Sequence, residues 1–159
     1  MELFRKIPWN DLGCIMLQKI ALQPEVDDRL DASFLIKTIL IVKNNVTGDR
    51  SCSQLLSLQP HHYALLAPSG SAALRLIKHI KPDLFLLDYH LQDMNGLELY
   101  KQLHATKELE DVPAIIVGAN LLQDVTWEVE THQLVILSKT FSLNELLRIM
   151  IKVELSAAK

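Results

Sequence analysis

The sequence predicts an α/β sandwich: a doubly wound, parallel five-stranded sheet with helices on both faces, preceded by an extra helical segment at the N-terminus. Two observations carry this reading. From Thr38 onward, short apolar runs alternate with amphipathic stretches, the pattern of repeated strand-helix units on a parallel sheet. The apolar runs are also nearly continuous, as strands covered by helices on both faces require.

The strands are expected at 38–42, 63–67, 84–87, 114–117 and 134–137, and the helices at 49–58, 71–80, 97–104, 121–130 and 143–153. In the second helix Ser71, Leu74, Leu76, Ile77 and Ile80 form one broad stripe, with Arg75, Lys78 and Lys81 towards the other side and the C-terminal end. Pro82 is expected to end it. Gly96 opens the third helix, and Ser142 with Glu145 makes a capping box for the last. Strict alternation of this kind gives a flavodoxin-like (βα)5 sandwich with strand order 2-1-3-4-5.

Residues 1–36 fall outside the alternation and divide the chain into an N-terminal helical extension with an acidic linker and a domain over 37–159. Asn10 or Asp11 caps a helix that places Leu12, Ile15, Met16 and Ile20 on one face, before Pro24 and the acidic run from Glu25 to Asp31. That stripe packs on the domain's own surface or binds another subunit or partner, and these four residues are interface candidates.

A chain of 159 residues suits one domain plus an appendage, and 49% apolar with 22% charged residues excludes the disordered and fibrous classes. A formal net charge of -3 gives no electrostatic reason to expect a polyanion, so nucleic acid is not expected as a partner. No apolar run approaches a membrane span, and Glu2 and Asp11 flank a segment without the features of a signal peptide. A cytoplasmic protein is expected. Cys14 and Cys52 lack the spacing of a disulfide framework or zinc site. His61 and His62, placed in a loop before the second strand, read as exposed turn residues without a third ligand.

In open parallel sheets the reactive groups collect at the carboxyl ends of the strands. Here those ends read Lys43-Asn44-Asn45, Asp88-Tyr89-His90, Gly118-Ala119 and Ser138-Lys139-Thr140-Phe141. From Thr38 to Glu154 the sequence resembles the response-regulator receiver family of two-component signalling, the CheY-like group. The most specific stretch runs from Pro82 to Leu97, where Pro-Asp-Leu, an Asp ending the strand and a Met-Asn-Gly turn follow in the family's order. Lys139 and Phe141 match its Lys-Pro-Phe segment, with Thr140 in place of the proline. The spacings among Lys43, Asp88, Gly118 and Lys139 are in register with the family's pocket.

The resemblance implies Asp88 as phosphoacceptor, Lys139 as the cation on the phosphoryl oxygens, and Mg²⁺ between Asp88, the His90 backbone carbonyl and an acidic pair ending the first strand. The acidic pair is replaced by Lys43 and Asn44. An ammonium about 4 Å from a cation costs about 4 kcal/mol at an effective dielectric near 20, so Mg²⁺ binding is expected to be weak and no cofactor is required. Gly118 stands where the family carries a switch hydroxyl, and Ile136 where it carries the coupled aromatic. Trp127 belongs either to the core or to the face that receivers use for partners, and is an interface candidate on the second reading.

Asp88 and Lys139 therefore have two readings, a static buried salt bridge and a phosphotransfer pair. The expectation is a degenerate receiver that is no enzyme and acts through a protein partner: a sensor kinase, an output protein or a second copy of itself. The alternatives are a phosphorylatable receiver with Asp88 as acceptor and a small-ligand or cofactor-binding flavodoxin-like protein; for the latter, Lys43 to Gly48 is a weak substitute for a phosphate loop.

Overall fold

A computed structural model of the chain describes residues 37–44, 62–119, 134–138 and 141–157. In chain order the elements are β1 (Lys37–Val42), β2 (His62–Ala67), α1 (Gly70–Leu76), β3 (Leu84–Asp88), α2 (Gly96–His104), β4 (Ala114–Gly118), β5 (Leu134–Ser138) and α3 (Leu143–Ala157). All neighbouring strands pair in parallel, in the order β2-β1-β3-β4-β5. The expected helices at 49–58 and 121–130, and the extension over 1–36, lie outside the described residues.

Successive strand residues point to opposite faces, and the two cores divide the sheet by that period of two. Leu40, Val42, Leu65, Ala67, Phe85, Leu87, Ala114, Ile116 and Leu134 face α1 and α2. Ile39, Ile41, Ala64, Leu66, Leu84, Leu86, Ile115, Val117 and Leu137 face Leu146, Met150 and Val153 of α3. Burial on both faces is why the runs read as continuous. Each fully buried Leu, Ile or Phe contributes about 1.5–3 kcal/mol through the water it sheds.

The Pro-Asp-Leu motif sets the register of the central pair. Asp83 donates its backbone N–H to the Thr38 carbonyl at 2.7 Å, and its Oδ2 accepts from the Thr38 N–H at 2.8 Å. This two-point clasp sits one residue before Ile39 pairs with Leu84, so β1 and β3 enter the sheet aligned.

Two expectations need correction. The second predicted helix stops at Leu76 rather than Ile80, because its last turn tightens: the Lys78 and His79 N–H groups donate to the carbonyls of Arg75 and Leu76, three residues back. The apolar period persists through Ile77 and Ile80, which still pack on the core, so periodicity outlasts the α-helix. His62 is not an exposed turn residue. It begins β2, and its Nε2 lies 3.1 Å from Oε1 of Glu154 on α3, with the two side chains only 17% and 19% exposed.

The remaining helix ends agree more closely. Asn95 caps α2 by accepting from the Glu98 N–H at 2.7 Å, and the Ser142 hydroxyl accepts from the Glu145 N–H at 3.2 Å. α3 runs one turn beyond its predicted end. At the far end of α2, the ring nitrogens of His104 lie 3.0 and 2.7 Å from the carbonyl oxygens of Tyr100 and Val112, fastening the helix to the approach of β4.

Candidate functional site

Parallel pairing brings the ends of β1, β3 and β4 to one edge of the sheet. Asp88 is the last residue of β3, half-buried, and is paired with Val117. Beyond it the chain turns back on itself. Tyr89 donates its N–H to the Val117 carbonyl at 2.8 Å, Gly96 donates to the Tyr89 carbonyl at 2.8 Å, and His90 and Asn95 form an isolated antiparallel bridge.

Gly96 closes this turn as only glycine can. A Cβ there would lie 2.7 Å from the Asp88 carbonyl oxygen and 3.0 Å from Tyr89 Cα, both fixed backbone atoms. The first residue of α2 thus rests directly on the backbone of Asp88, and the Met-Asn-Gly turn is the steric condition for that contact.

The Asp88 carboxylate receives the His90 N–H at Oδ1, at 3.3 Å. The His90 carbonyl is engaged from the opposite side: the side-chain amide of Asn44 donates to it at 2.6 Å. Asn44 Oδ1 is buried and finds no hydrogen-bond donor among the described residues. The His90 ring itself is exposed and stands edge-on to Tyr89, with centroids 5.0 Å apart, so its contribution to the pocket is its backbone.

The oxygen set does not fit a hard cation. Mg²⁺ demands near-octahedral oxygen coordination and prefers carboxylates. The carbonyl at His90 already holds an amide donor, Lys43 and Asn44 supply an ammonium and an amide, and no cluster of three or more His, Cys, Asp or Glu side chains suited to a metal occurs among the described residues.

Gly118 ends β4, buried, and pairs with Ser138, so the nearest hydroxyl in register sits one strand further out and is exposed. Ile136 is half-buried and packs against the core beneath α1 and α2. Lys139, Trp127, Leu12, Ile15, Met16 and Ile20 lie outside the described residues.

Sequence reasoning missed Asp93, the anchor of the loop after β3. Its Oδ1 accepts from the Gly70 N–H at 3.0 Å, and its Oδ2 accepts from the Ser71 N–H and hydroxyl at 2.8 and 2.5 Å. Burial pushes this carboxyl upward, but the bonds from Ser71 and Gly70 outweigh it and leave its pKa below the ordinary value. Beside it, Met94 fills the space over Gly70. An Asp within a polar loop gives no local signal that it caps another helix.

The family model of the response regulator receiver domain matches residues 39–151. The chain belongs to the response regulator receiver family. The polar-differentiation response regulator DivK of Brucella ovis is 32% identical over 85 residues, covering 54% of this receiver and 68% of DivK. A sensor protein from Polaromonas sp. JS666 shares the fold at a TM-score of 0.68 with 18% identity, covering 76% of this receiver and 98% of that chain. The receiver domain of the sensor histidine kinase PA1611 from Pseudomonas aeruginosa PAO1, described with magnesium coordinated in its active-site cleft, superposes with a TM-score of 0.65 at 26% identity, over 75% of this chain and 98% of that one. No described helix of the receiver is long and apolar enough to cross a membrane.

Proposed function

We propose that this receiver is a cytoplasmic signalling module, not an enzyme, that works by protein-protein contact, its pocket held in one state by an amide instead of being operated through Mg²⁺ and an aspartyl phosphate. One observation carries the reading: Asn44 donates at 2.6 Å to the His90 carbonyl, the oxygen that the family's pattern offers to the metal. A charge-neutral donor in that position removes the need for a cation and opposes its entry. Lys43 and Gly118 support the same conclusion, since one adds positive charge to the pocket and the other lacks the hydroxyl a phosphoryl group would draw inward. Asp88 and Lys139 then act as a static charge pair, and the partner is a sensor kinase, an output protein or a second receiver.

A second reading keeps Asp88 as a phosphoacceptor. It is favoured by the position of the half-buried carboxylate at the end of β3, the place the family's pattern gives to its phosphoacceptor. Titration with Mg²⁺ and beryllofluoride, followed through the amide resonances around Asp88, separates the two. The amide-held pocket predicts no saturable shifts; saturable binding that disappears in Asp88→Ala would overturn it.

A further inference from the structure

The core-facing side of α3 carries Leu146, Met150 and Val153, all buried. On another side of the same helix Ile151 and Leu155 stand 54% and 65% exposed, the exposed large apolar side chains among the described residues. They lie one helical turn apart, so their side chains adjoin and form a short ridge. Half-buried Leu147 continues that row by one further turn. Two adjoining aliphatic side chains held in water on a helix already anchored by its other face call for a cover.

The geometry points to the chain's own N-terminal segment: we propose that the stripe of Leu12, Ile15, Met16 and Ile20 docks on the Ile151–Leu155 ridge of α3. Three features select this occupant. The extension joins the domain at Lys37, which pairs with His62, and His62 Nε2 lies 3.1 Å from Oε1 of Glu154, the residue next to Leu155. The extension therefore enters at the end of α3 where the ridge lies. Its chain between Ile20 and Lys37 reaches far enough, because extended residues span up to about 3.3 Å each while a helix rises about 1.5 Å per residue.

Tethering is the second feature, since a segment of the same chain meets the ridge at about millimolar effective concentration, which favours it over a free second copy. Charge is the third. Exposed Arg148 flanks the ridge, and the sequence between Ile20 and Lys37 carries Glu25, Asp27, Asp28 and Asp31. In this docking the ridge covers the apolar face of the stripe, and the acidic run lies towards Arg148.

Hydrogen exchange on the full chain tests this, with molecular mass measured by light scattering at two protein concentrations. The unmodified protein should be monomeric, with amides over residues 12–20 protected equally at both concentrations. The double substitution Ile151→Lys and Leu155→Lys should lower that protection about tenfold or more, while β1, β3 and β4 keep theirs. Met16→Asp should in turn raise exchange and accessibility along residues 147–155. Free exchange over 12–20 in the unmodified protein, or protection untouched by either variant, would sink the proposal. Protection that grows with concentration alongside a dimeric mass would assign the ridge to a second copy and overturn it equally.

Discussion

Replacing Asn44 by aspartate turns the amide donor on the His90 carbonyl into an acceptor and tests whether that donor stands in for a cation. Asn44 Nδ2 sits 2.6 Å from the His90 carbonyl oxygen, so Asn44→Asp loses a hydrogen bond with a net contribution of about 1 kcal/mol. It also sets a carboxylate oxygen against a carbonyl oxygen, leaving both without a donor at a further cost of about 1–3 kcal/mol. The sum is about 2–4 kcal/mol, or roughly 5–15 °C in Tm for a chain of this size. The same substitution places a second carboxylate near Asp88 and frees the His90 carbonyl, an oxygen set that Mg²⁺ accepts. Bound metal then restores about 2.7 kcal/mol at a hundredfold excess over Kd. Thermal unfolding in EDTA and in millimolar MgCl₂ reads all of this. The native chain should melt at the same temperature in both, whereas Asn44→Asp should melt low in EDTA and recover in Mg²⁺. A native chain that gains as much from Mg²⁺ as the variant does, or an Asn44→Asp as stable as the native chain in EDTA, refutes the reasoning.

The other expectations concern the turn and its anchor. Gly96→Ala should destabilise by about 1–3 kcal/mol in urea titration at unchanged m value, because its Cβ would meet the Asp88 carbonyl oxygen at 2.7 Å and backbone cannot step aside. Gly70→Ala should cost less, since the atoms within reach there belong to the flexible Met94 side chain. Asp93→Ala should cost about 1 kcal/mol at neutral pH, a figure kept small by the exposure of the loop. The folded pKa of Asp93 lies below its ordinary value of 3.8, so its contribution is complete above that value and fades as pH falls through the folded pKa. Urea titrations of the native and variant chains should therefore converge as the pH is lowered below 3.8.

What could be read from sequence divides by distance along the chain. All five strands announce themselves because burial on both faces makes each run apolar without interruption; the runs miss only the polar or small end residues Lys37, His62, Asp88, Gly118 and Ser138. The ends of β1, β3 and β4 follow from the same runs, which is why Asn44, Asp88 and Gly118 could be placed together before any coordinates. The end of α1 could not, because Ile77 and Ile80 keep both the helical period and bonds four residues back, to Ala73 and Leu76, while Lys78 and His79 between them bond three back. Long-range polar contacts leave no trace in spacing. Asp93 reaches back 23 residues to Gly70, His62 forward 92 to Glu154, and Asn44 forward 46 to the His90 carbonyl. The residue types at Lys43 and Asn44 revealed that the acidic pair was gone; the amide's own bond required the fold.

The middle position of β1 bears on how the molecule is made. Its partners are β2 on one side and β3 on the other, and the clasp from Asp83 to Thr38 closes only when the chain has returned from a second crossover. Until then Ile39 to Val42, an apolar segment rich in β-branched residues, is an aggregation hazard on the nascent or refolding polypeptide. Lys37 and Lys43 bracket that segment. Flanking charges of this kind act as gatekeepers against strand stacking between molecules. The lysine that replaces one of the acidic pair thus also flanks an apolar strand that must wait for two partners, and an acid at position 43 would exchange one flanking charge for another while altering the pocket.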